Sequence, residues 1–176
     1  GAHRRMRALS RFLSSSKGKD KAKKEVKETI MPIVMAAMNM SKGKVGALIV
    51  IERTVPLDDV VGTGEQIDAA INQRLIENIF FKNSPLHDGA VVVASKRIKA
   101  AGCILPVSHS LDIPKELGLR HRAAMGISQE SDAVAVVVSE ETGGISVAVD
   151  GSFRLRRPFN ISLICARVCS SLHFDT

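Results

Sequence analysis

Gly89-Ala90-Val91-Val92-Val93-Ala94-Ser95-Lys96-Arg97-Ile98-Lys99-Ala100-Ala101-Gly102-Cys103-Ile104 is the stretch from which the fold can be read. Two apolar runs, Gly89–Ala94 and Ile98–Ile104, bracket the polar Ser95-Lys96-Arg97, which is the pattern of a hairpin. The first run shows no polar alternation, so both faces of its strand belong in a core. Working outward, Val45–Glu52 (VGALIVIE) has the same character, and Ala133–Ser139 and Ile145–Val149 add strands on either side of a turn at Glu140–Gly144. Asp150-Gly151 is a second hairpin signal, leading to a strand at Phe153–Arg156.

Strands buried on both faces need covering layers, and helical periods supply them. Val26, Ile30, Ile33, Val34, Ala37 and Met38 recur at helical spacing over Lys23–Met40, with Pro32 expected to kink or delay the helix. After Gly62-Thr63-Gly64, the positions Ile67, Ile71, Leu75 and Ile79, with Ile76 and Phe80, predict an amphipathic helix over 65–82. Pro106–Pro114 reads as a loop, and Lys115–Ile127 as a short, irregular helix because of Gly118 and Gly126. Asn160 suits the cap of a last helix whose apolar face holds Ile161, Ile164, Cys165, Val168 and Leu172. The expected architecture is α/β: a single globular domain with a central mixed β-sheet flanked by helices.

A chain of 176 residues is long enough for one domain with a real core. Cys103, Cys165 and Cys169 sit in apolar runs with no CxxC pair, which reads as reduced, buried thiols of a cytoplasmic protein. Charge is unevenly placed. Residues 1–29 hold ten Lys or Arg against three acids, whereas residues 30–176 hold fifteen of each sign. A basic segment with a polar linker (1–22, including Ser14-Ser15-Ser16-Lys17-Gly18-Lys19) therefore precedes a neutral domain (23–176). By itself such a run fits a solvated tail, a segment against anionic lipid or a nucleic-acid arm. The neutral body and the absence of Trp and Tyr argue against nucleic acid. No apolar run approaches the roughly 20 residues that span a bilayer, and Gly1-Ala2 fits a piece excised from a longer chain.

Three segments are polar where their surroundings are apolar. Leu86-His87-Asp88-Gly89-Ala90 enters a strand; an acid before two small residues lets a ligand approach the backbone, although Asp-Gly alone is more often a turn. Gly118-Leu119-Arg120-His121-Arg122-Ala123-Ala124 sets two guanidinium groups around a histidine, which suits phosphate oxygens or a cationic surface turn. Ser139-Glu140-Glu141-Thr142-Gly143-Gly144 suits a divalent metal beside phosphates, or a solvent-facing turn. Together they supply what nucleotidyl transfer from a metal-bound triphosphate requires: an acid, cations and backbone amides. Neither GxxxxGK[ST] nor a GxGxxG after a strand is present, so this is not a P-loop or Rossmann protein.

These segments resemble a known family. Pro85-Leu86-His87-Asp88-Gly89-Ala90 is similar to the DGA motif of the diadenylate cyclases, Gly118–Ala124 to their RHR motif, and Ser139–Gly144 to the SEETGG loop that follows. VGALIVIE and Gly62-Thr63-Gly64 with Ile67-Asp68-Ala69 resemble family segments in the same order, over about residues 24–157. Arg4-Arg5-Met6-Arg7-Ala8-Leu9 resembles the basic junction of the membrane-associated CdaA-type branch. The resemblance implies the diadenylate cyclase fold and the condensation of two ATP into cyclic di-AMP with release of pyrophosphate. It also implies Mg²⁺ or Mn²⁺, a homodimer needed for catalysis, and a place at the cytoplasmic face of a bacterial membrane through an N-terminal anchor missing from this chain. By the same resemblance, Asp88 activates the 3′-hydroxyl, Arg120 and Arg122 hold phosphates, and His121 orders their loop or contacts the phosphates. Leu86, Gly89, Ala90, Ile104, Leu105, Leu119, Ser139 and Glu141 approach the nucleotide, and Asp88, Glu141 and His87 lie at the metal. Many members carry Tyr where this chain has Ile104 and Thr where it has Leu119, which bears on nucleotide affinity. An inactive adenine-nucleotide-binding regulatory module of the same fold is the alternative, and retention of Asp88 argues against it.

Overall fold

Ser95 and Lys96 both take left-handed backbone angles (φ 49° and 59°), the geometry a two-residue hairpin connection demands. They join β3 (Ala90–Ala94) to β4 (Arg97–Cys103). The computed structural model describes residues 17–111, 113–154 and 168–169. The remaining strands are β1 (Ala47–Ile51), β2 (Glu65–Ala70), β5 (Val134–Val138), β6 (Ile145–Val149) and β7 (Ser152–Phe153). They form a seven-stranded sheet in the order β2-β4-β3-β1-β5-β6-β7, in which only β1 and β3 run parallel. The mixed α/β architecture expected from the sequence is the one observed.

Every residue of β1, β3, β5 and β6 is buried, so alternate side chains feed two cores. On one face Ile49, Val91, Val136 and Val147 pack with α1 (Met31–Lys42) and α3 (Gln73–Phe80), through Ile33, Ala37, Ile76 and Phe80. On the other, Leu48, Val50, Val92 and Val137 pack with α4 (Leu119–Glu130), through Ala124 and Ile127. The short α2 (Asp58–Val61) borders this second core with Val60 and Val61.

Two local expectations need correction. The helix predicted over 65–82 is a strand followed by a helix: Glu65–Ala70 is edge strand β2, and α3 begins only after Asn72, whose side chain accepts the Leu75 N–H at 3.0 Å. Ile67 and Ile71 satisfy a period of two, with Ala69 between them, as well as a helical one, and the Asn72 cap decides where helix begins. β2 is bulged between Gln66 and Ala69, and Arg97 Nε binds Asp68 Oδ1 there at 2.8 Å. That bond and the guanidinium charge hold the Asp68 carboxyl below its ordinary range. The second correction concerns Pro32. The chain is helical from residue 17 to 42, and Pro32 neither ends nor delays the helix: it follows directly on the π-helical turn Val26–Ile30, a local widening at which a helix accommodates a residue that lacks an N–H. Lys17-Gly18-Lys19, expected as linker, lies within this helix.

Gly126 fits inside α4 because a Cβ there would collide with the Pro106 carbonyl oxygen and come within 2.8 Å of its carbon. Of the expected last helix, Val168 and Cys169 are helical and buried. Asn160, Ile161, Ile164, Cys165 and Leu172 lie outside the described residues, as do Leu155, Arg156 and the basic residues 1–16. Among the described residues no helix is long and apolar enough to cross a membrane.

Candidate active-site cleft

Neighbouring strands of a mixed sheet present both beginnings and ends at the same edge. Here β3 and β1 begin, and β4 and β5 end, at one edge of the sheet, on the α4 side. Between these ends and the first turn of α4 lies a cleft of about 460 Å³. Asp88, Gly89, Ile104, Leu105, Leu119, Arg120, His121, Ser139 and Glu141, drawn from four segments separated in sequence, all line it.

Asp88 stands at the entry to β3 with its side chain 89 % exposed. It can sit there because Gly89, at φ 90°, packs against the backbone of Gly102 and Cys103, a conformation and a proximity that exclude a side chain. His87 lies beside it. Its Nδ1 meets the Ser84 carbonyl at 2.7 Å, so that nitrogen donates, and Nε2 lies 3.5 Å from Asp88 Oδ1.

The segment Gly118–Ala124 forms the start of α4. Gly118 is the cap residue and offers no side chain to the first N–H groups. Arg120 Nη1 reaches Glu140 Oε2 at 3.3 Å, while its Nε is buried and finds no acceptor in the structure. Such a donor costs free energy until an acceptor reaches it. His121 is buried, edge-on to Phe153 at 5.8 Å between ring centres. Arg122 does not line the cleft. One hundred degrees per residue sets it about 200° around the helix from Arg120, so the two guanidinium groups do not share a face.

The acidic loop is shaped by its own side chains. Ser139 Oγ accepts the N–H groups of Glu141 (3.3 Å) and Thr142 (3.2 Å), and Thr142 Oγ1 accepts that of Gly144 at 3.0 Å. Glu140 and Glu141 are both exposed at the cleft. The apolar wall is Ile104 and Leu119, 71 % and 76 % exposed, with Leu105 and Val107. Ile104 N–H is held by Thr63 Oγ1 at 2.8 Å, which ties this wall to the turn after α2. Cys103 also borders the cleft, where burial pushes its thiol up to about 11.

Four of the expected site residues lie apart from the lining: Arg122 is on another side of α4, Ala90 is fully buried in the core, Leu86 packs on the opposite core, and His87 adjoins Asp88 without lining the cleft. Among the described residues no three His, Cys, Asp or Glu side chains form a cluster able to hold a metal, so Asp88, His87 and Glu141 are not a preformed three-ligand set. Sequence reasoning missed Gly46, which underlies Arg120, as well as Glu116 and Val107. It also missed the role of Glu140 as the partner of Arg120. For Gly46 the only signal was a glycine opening an otherwise apolar strand.

Comparison with known proteins places the fold in a family. Residues 34–153 match the family model described as DAC, DisA bacterial checkpoint controller nucleotide-binding. The cyclic di-AMP synthase CdaA of Bacillus subtilis is 49 % identical over 124 residues, covering 70 % of this chain and 45 % of that protein. A crystal structure of a DacA double mutant from Staphylococcus aureus superimposes with a TM-score of 0.79 at 41 % identity, covering 87 % of this chain and 99 % of that one. The crystal structure of a hypothetical membrane spanning protein from Bacillus cereus gives 0.69 at 44 % identity, covering 72 % and 62 %. The chain spans about half the length of the curated relatives it matches.

Proposed function

The chain belongs to the DAC family of DisA-type nucleotide-binding domains, and from that premise we propose that it is a diadenylate cyclase. It condenses two ATP molecules into cyclic di-AMP and two pyrophosphates. The observation that carries this reading is the convergence of Asp88, Arg120 and Glu141 on one cleft, with a buried Arg120 donor still lacking an acceptor.

Each ribose 3′-hydroxyl attacks the α-phosphorus of the other ATP. A new O–P bond forms, the bond to the pyrophosphate oxygen breaks, and the hydroxyl proton passes to Asp88. Arg120 offsets charge on the phosphates, and the first turn of α4, which has no side-chain cap and lines the same cleft, adds the positive end of a helix. Ile104, Leu105 and Leu119 supply an apolar wall for adenine. The exposed carboxylates of Asp88 and Glu141 would hold a divalent ion such as Mg²⁺ or Mn²⁺ at the cleft. An ion held there would supply electrostatic stabilisation of charge on the phosphates. Since each attack joins two bound nucleotides, two copies face each other, and pairing their clefts replaces a bimolecular encounter by a fixed approach. The basic N-terminal run and the likeness to a hypothetical membrane spanning protein from Bacillus cereus support a place beside the cytoplasmic face of a membrane.

The test is incubation of the chain with ATP and Mg²⁺ or Mn²⁺, followed by chromatography of the nucleotides. Cyclic di-AMP and pyrophosphate should appear together and vanish in Asp88→Asn while ATP binding persists. Equal, negligible product from both proteins at a concentration where the chain dimerises overturns the cyclase reading and favours the binding module.

A further inference from the structure

Gly46 opens β1 directly beneath the Arg120 guanidinium. A Cβ built on Gly46 would collide with Arg120 Nη1, lie 2.8 Å from Arg120 Cζ and come within 3.2 Å of Glu140 Cβ. All three neighbours are side-chain atoms, and two of them are the end of the Arg120 side chain. Gly46 is not among the residues with left-handed backbone angles. The backbone therefore accepts any small residue here; it is the guanidinium that requires glycine. The turn that delivers Gly46 also holds the other partner of Arg120. Ser41 Oγ donates to the Gly143 carbonyl, fixing the loop that carries Glu140 to the end of α1. Both halves of the Arg120–Glu140 pair thus rest on the short connection between α1 and β1.

We infer that Gly46 is a positioning residue for triphosphate binding: its bare backbone is the floor on which the Arg120 guanidinium lies, paired with Glu140 and turned toward the cleft. The inference rests on the reading that this cleft takes ATP. Alanine at 46 lifts the guanidinium without breaking the fold, because the displaced atoms end a flexible chain. The loss should therefore fall on the phosphates and not on adenosine.

The experiment compares wild type, Gly46→Ala, Arg120→Ala and the double variant. Calorimetry gives the affinities for ATP and for adenosine, and urea unfolding gives the midpoint. In Gly46→Ala, ATP affinity should fall about tenfold or more, the scale of one charge-assisted hydrogen bond. Adenosine affinity and the urea midpoint should hold, and Gly46→Ala should add nothing once Arg120 is alanine. Unchanged ATP affinity overturns the inference, as does a parallel loss of adenosine or an undiminished effect in the Arg120→Ala background. Wild-type binding of ATP is the separate check: if it fails, the functional reading itself falls, whereas a wild type that binds beside an indifferent Gly46→Ala overturns only the role of Gly46.

Discussion

Gly126→Ala sets two rules against each other. Glycine inside a helix is disfavoured relative to alanine by about 1 kcal/mol, so propensity alone says the substitution stabilises. The structure reverses the sign. The new methyl would overlap the Pro106 carbonyl oxygen, lie 2.8 Å from the Pro106 carbonyl carbon and 3.1 Å from Ser108 N. All three are backbone atoms, and the segment is held in place by the bond from Ser108 N–H to the Arg122 carbonyl at 3.0 Å. No side chain can rotate out of the way, so the overpacking cost belongs at the upper end of the usual range, about 3 kcal/mol. The net loss is then about 2 kcal/mol. With a urea slope of about 2 kcal/mol per molar for a domain of this size, the midpoint should drop by about 1 M. Gly118→Ala is the internal control, since nothing lies within 4 Å of a Cβ there, and it should cost only the cap preference for glycine over alanine, about 0.5–1 kcal/mol. Because Leu105 and Val107 flank the segment that must move, ATP affinity should weaken in Gly126→Ala too. A midpoint equal to or above that of wild type would refute the reasoning.

Ser41→Ala removes the bond to the Gly143 carbonyl, at a cost of about 1 kcal/mol in urea unfolding. It should also slow cyclic di-AMP formation by loosening the acidic loop, and a variant that loses stability but turns over at the wild-type rate would separate the two effects. Ile104→Tyr places an aromatic face on the exposed wall and should tighten ATP binding by about 1 kcal/mol, roughly fivefold, by calorimetry. Cys103 ionises near 9.0 when unfolded but only near 11 in the buried site. The folded state therefore keeps the proton longer, and this contribution is complete below pH 9 and is lost as pH rises toward 11, on the order of 2–3 kcal/mol. Urea midpoints at pH 8 and pH 10 should differ more for wild type than for Cys103→Ala, and equal differences would contradict the assignment.

The strands were legible because burial on both faces leaves an unbroken apolar run, as in Ala90–Ala94 and Val134–Val138. The error at residues 65–82 arose where an edge strand and a helix shared apolar positions that fit both periods, and only the capping side chain of Asn72 marks the border. The site was legible at Asp88, Arg120 and Glu141, because polar residues interrupting apolar strand ends stand out. Arg122 was grouped with Arg120 by adjacency, whereas helical geometry sends them to different sides. Gly46 could not be read, since its role is set by a side chain that arrives from 74 positions later in the numbering, and no local pattern announces such a contact.

The mixed sheet accounts for this distribution. In an all-parallel sheet, ligands gather where strands end, and the segments that precede strands lie at the far edge. Here the four adjacent strands β4, β3, β1 and β5 bring both beginnings and ends to the cleft: the parallel pair β3 and β1 start there, and the flanking β4 and β5 finish there. Asp88 and Gly46 therefore precede their strands, while Ile104, Glu140 and Glu141 follow theirs. Each short junction has a different duty: the one before β3 exposes a carboxylate, the one before β1 leaves a bare floor, and the one after β5 returns acids toward the start of α4. Because all four strands are locked into two cores, these junctions have little freedom to shift, and the cleft inherits the rigidity of the sheet. A methyl group on the floor should accordingly be felt by the guanidinium above it, the one nearby group with room to move.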